Sequence, residues 1–434
     1  MRNFLVLAIL VAVASSCTLE SSSSLQQPNI ILIMADDLGY ETLGVNGGSS
    51  YRTPNLDALA NAGMRFTQVY ATPLCTPSRV QLMTGKYNFR NYIGFGLLDP
   101  SERTFAHYLQ DAGYRTAVVG KWQLYGNARQ QELAGGRTGS VPEQVGFDEH
   151  AVWQVKELGS RYKHPRLNVS GSPTQDYPGA YGPDQFVEHI EDFLERHRDQ
   201  RFLLYYPMVL THDPFQPTPD HPDYAEFSGR GVNDTTYFKD YVAYMDGVIG
   251  RIVDQLDRLG LRENTLLLFT GDNGTDRKVT STMGDRVIRG LKGYTTEAGT
   301  HVPLIASWPG TIASGQVNDN LIDFTDFLPT LLEAAHLETP EDLGTDGLSF
   351  YSQLVGQADT VRAWVFCDYA PRWGSFSDRR FVHDRDWKLY GDGTFYHIGT
   401  DPEELSPVAD EVLAADVIQL KQQFQAVLDS LLTP

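Results

Sequence analysis

The amino-acid sequence predicts an α/β protein. We expect a large mixed, mostly parallel sheet sandwiched by helices, and a smaller C-terminal α+β domain with a short antiparallel sheet and a terminal helix. The chain has 434 residues, 41% of them hydrophobic, which is enough for a large buried core. Short apolar runs alternate with amphipathic stretches, which is typical of a parallel sheet covered by helices on both faces. From about Val361 the pattern changes to short strands and hairpin turns.

Apolar runs predict the strands of the large domain, which we place at residues 28–358. They lie at 30–34, 116–119, 202–206, 266–270 and 302–307. Helical periodicity marks further stretches, several of which end in glycine, as helix C-termini often do. They span 55–63, 104–113, 184–198, 237–260 and 324–336. In the C-terminal domain, residues 359–434, we expect strands at 386–390 and 394–398 around the turn 391–393, then a helix near 410–432.

The first 17 residues are typical of an export signal, with Arg2, an apolar run at 4–13 and small residues before Cys17. The run is shorter than the ~20 apolar residues of a permanent membrane span. Two alternatives stay open: the segment resembles a bacterial lipoprotein signal that would leave Cys17 as a lipid anchor, or it is an ordinary secretory signal. Residues 18–27, which include four consecutive serines, predict a flexible tether. We expect an exported protein of the periplasm or the bacterial cell surface.

Charge and cysteine content exclude two classes of protein. The formal net charge is −20, whereas a nucleic-acid binder needs a net basic face. Three cysteines cannot form a disulfide framework. We therefore expect no nucleic-acid partner.

Charged and polar side chains follow four of the predicted strands. In chain order they are Asp36 and Asp37, Lys121, His212, and Asp272 and Asn273. Ligands of open α/β sheets bind at the carboxyl ends of the strands, so we expect these groups to converge. Each acidic pair taken singly is more readily a polar turn. Because both pairs supply hard oxygen donors, together they predict a Ca²⁺ or Mg²⁺ site.

Cys75 precedes a short predicted helix. Thr76 is a suitable N-cap, Pro77 suits the first helical position and Gly85 can end the helix. The helix N-terminus and Arg79 would favour a negative species at residue 75. The alternative is a small buried cysteine beside an ordinary cap.

Six segments carry a family resemblance, in the same order as in the family. They are 29–39 (NIILIMADDLG), 75–79 (CTPSR), 120–122 (GKW), 211–215 (THDPF), 271–274 (GDNG) and 289–292 (RGLK). Together they resemble a type I, formylglycine-dependent sulfatase of the arylsulfatase-like kind, in the alkaline-phosphatase-like superfamily. Residues 386–389 and 401–404 are similar to the C-terminal domain of that family.

The resemblance implies that a maturation enzyme oxidises Cys75 to formylglycine (3-oxoalanine), whose aldehyde hydrates to a geminal diol. One hydroxyl, polarised by Ca²⁺ and Arg79, attacks sulfur and displaces the alcohol; the other loses its proton, and sulfate leaves as the aldehyde is regenerated. The implied ligands of one Ca²⁺ ion, with Mg²⁺ less favoured, are Asp36, Asp37, Cys75, Asp272 and Asn273.

The same resemblance implies contacts to the sulfate group from Lys121, Lys292 and His212, with His212 serving the leaving oxygen. The chain departs from the family at Gln123, where a histidine is usual. Glutamine cannot accept a proton near neutral pH, so we expect Gln123 only to orient the diol. His301 is a candidate substitute base, although a histidine before a strand is more often structural.

Export and the acidic composition fit a bacterial enzyme that removes sulfate from carbohydrates. Candidate sugar contacts are Arg90, Asn91, Arg372, Trp373 and His383. One alternative is a phosphate or phosphonate monoester hydrolase of the same superfamily. A second is a catalytically lapsed glycan-binding protein, against which the intact set of site residues argues.

Overall fold

The computed structural model describes residues 27–338, 340, 343–357 and 361–432. The predicted signal, all of the tether except residue 27, and the predicted domain boundary after residue 358 lie outside the described residues. Within the described part, sixteen strands form a ten-stranded sheet, a two-stranded ribbon and a four-stranded sheet. The strands, in chain order, are β1 (Asn29–Ala35), β2 (Met64–Tyr70), β3 (Arg115–Lys121), β4 (Glu149–Trp153), β5 (Arg166–Val169), β6 (Gln175–Asp176), β7 (Phe202–Pro207), β8 (Thr265–Gly271), β9 (Thr280–Met283), β10 (Arg286–Arg289), β11 (Leu304–Ser307), β12 (Gln316–Asp323), β13 (Val365–Tyr369), β14 (Arg379–His383), β15 (Trp387–Tyr390) and β16 (Phe395–His397).

The α-helices connect these strands and cover the large sheet. In chain order they are α1 (Pro54–Asn61), α2 (Cys75–Thr84), α3 (Asn88–Asn91), α4 (Phe105–Asp111), α5 (Ala128–Leu133), α6 (Gly182–Arg196), α7 (Phe238–Arg258), α8 (Glu297–Thr300), α9 (Phe327–Ala334), α10 (Tyr351–Leu354) and α11 (Ala415–Leu432). Among the described residues, none of these helices has the length and apolarity needed to cross a membrane.

The large sheet has the order β12-β2-β11-β8-β1-β7-β3-β4-β5-β6. Its centre, from β8 to β4, is parallel, while β11 is antiparallel to both β8 and β2. The predicted mixed, mostly parallel sheet is therefore confirmed. All five predicted strands are present. Sequence patterning missed the other five strands of this sheet, whose polar residues interrupt the apolar runs: β2, β4, β5, β6 and β12.

Two separate cores lie on the two faces of this sheet. Apolar residues of α1, α6 and α7 pack on one face, and those of α2, α4 and α9 pack on the other. The central strand β1 is buried along its whole length, because its alternate side chains enter the two cores. This rigid double layer fixes the edge of the sheet where the polar residues follow the strands.

Strands β13 to β16 form an antiparallel meander, and α11 packs against it through Phe424 and Leu428. This confirms the predicted small C-terminal sheet and terminal helix. The helix begins at Ala415, whereas residues 410–412 form a single 3₁₀ turn. A 3₁₀ turn at 324–326 likewise precedes α9, so the predicted helices at 324–336 and 410–432 are both shorter than expected.

Candidate active site

The register of the central strands brings the predicted polar residues together. Ala35 of β1 pairs with Gly271 of β8, so Asp36 and Asp272 leave the sheet side by side. The backbone N–H of Asp37 donates to Asp272 Oδ1 (2.9 Å). On the other side of β1, the N–H of Thr211 donates to the carbonyl of Asp36 (2.7 Å), which places the segment after β7 against the same edge.

Four oxygen-bearing side chains form a buried cluster at this edge: Asp36, Asp37, Asp272 and Asn273, none more than 1% exposed. One potential ligand atom each of Asp36, Cys75 and Asp272 lies within 4.8 Å of the others, and the same holds for Asp36, Asp37 and His212.

Two lysines partly balance the charge of the cluster. Lys121 Nζ donates to both carboxylate oxygens of Asp36 (2.9 and 2.8 Å), and Lys292 Nζ donates to Asp37 Oδ2 (2.6 Å). Although burial opposes it, the charge of Lys121 holds the pKa of Asp36 well below its usual range. Burial likewise opposes the charge on Lys292, but the neighbouring Asp37 carboxylate raises the pKa of that ammonium group.

Among the described residues, no cationic group forms a hydrogen bond or an ion pair with Asp272. Burial and the nearby charge of Asp36 raise the pKa of Asp272 well above its usual value. The Arg161 guanidinium, 3.7 Å from Asp36, balances the formal charge of the cluster, but the buried charge of Asp272 is still unfavourable without a further cation in contact with it.

The chemistry of these donors fits a hard divalent cation. Asn273 Nδ2 donates to Asp37 Oδ1 (2.9 Å), which leaves Asn273 Oδ1 buried and without a hydrogen-bond partner among the described residues. Buried carbonyl oxygens rarely lack a partner, and amide and carboxylate oxygens are the ligands that Ca²⁺ and Mg²⁺ take. The orphaned oxygen therefore points to a cation at this position.

Helix α2 begins at Cys75 itself, and Leu74 is its N-cap. The expected cap at Thr76 is wrong, because the Thr76 hydroxyl instead accepts the N–H of Gly96 (3.0 Å). The predicted end at Gly85 is confirmed by its left-handed φ of 67°. Burial raises the pKa of the Cys75 thiol, so the helix terminus does not stabilise a thiolate there as expected.

Arg79 is buried behind Cys75 in the same helix, α2. Its guanidinium donates to the carbonyls of Lys121 and Trp122 (both 2.6 Å), and the residue is 1% exposed. These bonds tie the helix that carries Cys75 to the end of β3. The position of Arg79 favours a role in holding the site together over the expected direct contact with the reacting oxygen.

A cleft of about 610 Å³ opens over the cluster. Its lining includes the predicted residues Cys75, Gln123, His212 and Lys292, whereas Lys121 lies behind them at 1% exposure. The His212 Nε2 atom is 3.8 Å from Asp37 Oδ2. Gln123 has a left-handed φ of 47°, and its N–H donates to the carbonyl of Gln154 (2.9 Å).

Sequence reasoning missed several residues of the cleft. They are Phe95, Arg161, Asp276, Arg277, Lys278 and Phe376, while Asp213 and Arg289 were noted only as parts of motifs. The residues 276–278 directly follow the strand end that carries Asp272 and Asn273, so their position was predictable. Arg161 lies in a loop that has no recognisable pattern. The basic side chains outnumber the acidic ones, so the cleft suits an anion despite the net charge of the chain.

Most candidate sugar contacts lie elsewhere. Arg90 forms a bidentate pair with Asp346, Asn91 donates to the Thr84 hydroxyl, and His383 is 2% exposed. Arg372 donates to the Ile93 carbonyl (3.4 Å). Only Trp373 lines the cleft, where it stacks on Phe95.

His301 is structural and does not supply a base to the cleft. Its ring stacks on Tyr40 and Tyr70, and its two nitrogens face Glu297 and the carbonyl of Thr67. The ring lines a different cavity, beside Tyr40 and Glu41. The suggestion of a substitute base at this position is therefore wrong.

Comparison with known proteins identifies the family. The sulfatase family model matches residues 28–337, and the model of the N-sulphoglucosamine sulphohydrolase C-terminal region matches residues 292–430. Human arylsulfatase A is 34% identical over 78% of this chain and 70% of its own length. Mouse N-acetylgalactosamine-6-sulfatase is 32% identical over 92% of this chain and 85% of its own.

Solved structures show the same architecture. The phosphonate monoester hydrolase of Agrobacterium radiobacter superposes with a TM-score of 0.69 at 20% identity, covering 93% of this chain and 95% of its own. At that identity the likeness concerns the fold alone. The buried acidic cluster lies within residues 28–337, the part of the chain that the sulfatase family model matches. The chain belongs to the sulfatase family of the alkaline-phosphatase-like superfamily, and it is a sulfuric ester hydrolase.

Proposed function

We propose that the protein hydrolyses sulfate monoesters of carbohydrates, using formylglycine made from Cys75 and a Ca²⁺ ion. The observation that carries this proposal is the position of Cys75. Its sulfur lies within 4.8 Å of carboxylate oxygens of Asp36 and Asp272, and the residue opens onto the basic cleft. A residue placed between a cation site and an anion-binding cleft is suited to attack a sulfo group.

The proposed ligands of the cation are Asp36, Asp37, Asp272 and Asn273 together with residue 75. When bound, Ca²⁺ would polarise oxygen atoms at residue 75 and on the ester. The hydrated aldehyde at residue 75 would supply an oxygen nucleophile in place of the thiol. Maturation by a formylglycine-generating enzyme is part of this proposal, since the pKa of the buried Cys75 thiol is raised.

The chain's own residues have distinct roles in this proposal. Lys292 and His212 line the cleft, where Lys292 would bind a sulfate oxygen and His212 would hydrogen-bond the leaving oxygen. Lys121 is fully occupied by Asp36, so we assign it the task of holding that ligand. Arg79 holds α2 against β3. Gln123, which also lines the cleft, would orient residue 75.

A sulfated sugar is the substrate class that the cleft supports best. Arg277, Lys278 and Arg289 surround the entrance with positive charge, and Trp373 and Phe376 supply aromatic faces for a sugar ring. Mouse N-acetylgalactosamine-6-sulfatase, which is similar over most of this chain, is named for a sugar substrate. A different sulfated sugar could be accepted without any change in the acidic cluster at the edge of the sheet.

Mass spectrometry of the peptide that contains Cys75, purified from the native host, tests the modification. We expect a mass loss that corresponds to oxidation of the thiol to an aldehyde, and sulfate release from sulfated saccharides by the same preparation. Cysteine that is unmodified throughout would refute the mechanism. Cleavage of phosphonate monoesters with a higher kcat/KM than sulfate esters would favour the superfamily alternative, and glycan binding without turnover would favour a lapsed enzyme.

We further propose that the protein is exported to the periplasm or the cell surface. The support is the sequence of residues 1–17 alone. If Cys17 is lipidated, the C17A variant should move from the membrane fraction to the soluble fraction of the native host. Recovery of the wild type itself in the soluble fraction would favour an ordinary secretory signal.

A further inference from the structure

Arg161 enters the cleft with an unused hydrogen-bond donor. Its side chain is 14% exposed and lines the same cleft as Cys75 and Lys292. The Nη1 atom is buried and has no hydrogen-bond partner among the described residues. A buried guanidinium N–H without an acceptor is unfavourable by roughly 1–3 kcal/mol or more, so its retention calls for an acceptor that arrives with a ligand.

The surrounding loop holds this guanidinium in place. It stacks on the ring of Trp153, with 4.0 Å between the guanidinium carbon and the ring centre, and Trp153 pairs with Lys121 in the sheet. The indole N–H of Trp153 donates to the carbonyl of Gly159 (2.8 Å). The hydroxyl of Tyr162 donates to the carbonyl of Val209 (2.8 Å). The stack on Trp153 and the anchored loop therefore hold Arg161 in place before any ligand binds.

Arg161 forms a long ion pair with Asp36 but no hydrogen bond to it. The shortest distance between the two is 3.7 Å, from Nη1 to Oδ2, which is too long for a hydrogen bond. Both oxygens of Asp36 already accept from Lys121. Arg161 is thus an additional cation at the edge of the cluster, and its side chain lines a cleft suited to anions.

We propose that Arg161 is an anion-binding residue whose guanidinium contacts the sulfo group of the substrate and the sulfate product. This proposal rests on the proposed function and identifies a specificity residue for the same cleft. Guanidinium suits the role because it is always charged and its planar donors match the oxygens of a tetrahedral anion. Gln123, which lines the same cleft, is uncharged, so Arg161 supplies a positive charge that residue 123 does not.

The proposal predicts effects of opposite sign on two ligands. Loss of a charge-assisted hydrogen bond should weaken anion binding, whereas loss of a positive charge 3.7 Å from Asp36 should leave cation binding unchanged or make it tighter. A residue that merely supports the structure of the acidic cluster would weaken cation binding instead.

Titration calorimetry of the full chain with sodium sulfate, in the presence of Ca²⁺, and separately with Ca²⁺ alone tests both signs. We expect Arg161→Ala to weaken sulfate binding by about 10- to 100-fold without weakening Ca²⁺ binding, and to raise KM for a sulfate ester more than it lowers kcat. Arg161→Lys, which keeps the charge but loses the planar donors, should give an intermediate value. Arg201→Ala is the matched control, since Arg201 stacks on Tyr114 far from the cleft.

Weaker Ca²⁺ binding by both Arg161 variants, with sulfate affinity of the Ca²⁺-loaded protein unchanged, would overturn the proposal. If the wild type hydrolyses sulfate esters while Arg161→Ala binds sulfate as tightly as the wild type, only the role of Arg161 fails. If the wild type binds no sulfate, the proposed function fails as well.

Discussion

The hydroxyl of Thr275 donates a hydrogen bond to the buried carboxylate of Glu41 over 2.6 Å. The hydroxyl oxygen of Thr275 also accepts a hydrogen bond from the N–H of Gly39 (3.0 Å). These bonds join the segment after β1 to the segment after β8, and the two segments carry all four oxygen-donor side chains of the acidic cluster. The Thr275 hydroxyl thus helps to set the spacing of the proposed cation ligands, although its own partners are Gly39 and Glu41.

We expect Thr275→Val to destabilise the protein and weaken Ca²⁺ binding. Valine preserves the shape of threonine but leaves the Glu41 carboxylate and the Gly39 N–H buried without this partner, which costs about 1–3 kcal/mol. Chemical denaturation and calcium titration measure the two effects. Thr275→Ser retains the hydroxyl and should bind Ca²⁺ much as the wild type does; equal losses in both variants would show that the methyl group matters instead.

Calcium should stabilise the folded protein by mass action. A ligand at a hundred times its Kd adds about 2.7 kcal/mol to the free energy of unfolding. Denaturation in EDTA and in calcium measures this difference, and Mg²⁺ should have a smaller effect. Asn273→Ala removes the orphaned Oδ1 and should reduce the stabilisation; a full response in that variant would place the ion away from Asn273.

Lys121→Met should be strongly destabilising in EDTA and less so in calcium. Removing one partner of a buried ion pair costs about 3–5 kcal/mol, because the remaining charge is unpaired. A bound cation would compensate the charge of Asp36. Lys421→Met is the control, since Lys421 pairs with Asp410 at the surface and such pairs contribute at most about 1 kcal/mol. A calcium-independent loss in Lys121→Met would contradict this explanation.

Acid should destabilise the C-terminal sheet through His383. Burial and the nearby charge of Lys388 lower the pKa of His383 from 6.5 to about 3. Between these values the unfolded chain binds the proton and the folded chain does not, so stability is complete above pH 6.5 and falls as the pH decreases towards 3. His383→Gln should reduce this slope of unfolding free energy against pH. An identical slope in the variant would assign the acid sensitivity to other groups.

Gln123→Ala should lower the rate of sulfate release by roughly tenfold, the effect of losing one hydrogen bond that orients a reacting group. Gln123 lines the cleft, and its amide can donate and accept hydrogen bonds but cannot act as a base. Single-turnover release of sulfate is the appropriate measurement. A rate equal to that of the wild type would exclude the orienting role.

The convergence of the acidic cluster could be predicted because each pair directly follows a fully buried strand. Neighbouring parallel strands bring their carboxyl ends to one edge, so Asp36 and Asp272 had to meet once β1 and β8 were recognised. The predicted helices on both faces follow from their periodicity in the same way. The roles of these residues in binding a cation remain predictions.

Other features depend on tertiary contacts that local pattern does not encode. The orientation of Arg79 follows from how α2 packs beside β3, and Thr76 accepts a bond from Gly96 instead of capping the helix. The position of Arg161 depends on a stack with Trp153 across an irregular loop. In each case a partner distant in sequence decides where the side chain points.

The cleft receives Trp373 and Phe376 from the segment between β13 and β14, whereas the proposed reacting groups come from the large sheet. The aromatic faces proposed for the sugar are therefore encoded in a different stretch of the gene from the proposed reacting groups, whereas the anion-binding residues Arg161 and Lys292 belong with the reacting groups. Exchange of the loop at residues 370–378 offers a route to new substrate preferences that preserves the acidic cluster. A library randomised in this loop alone is consequently the most direct way to engineer an enzyme for a different sulfated glycan.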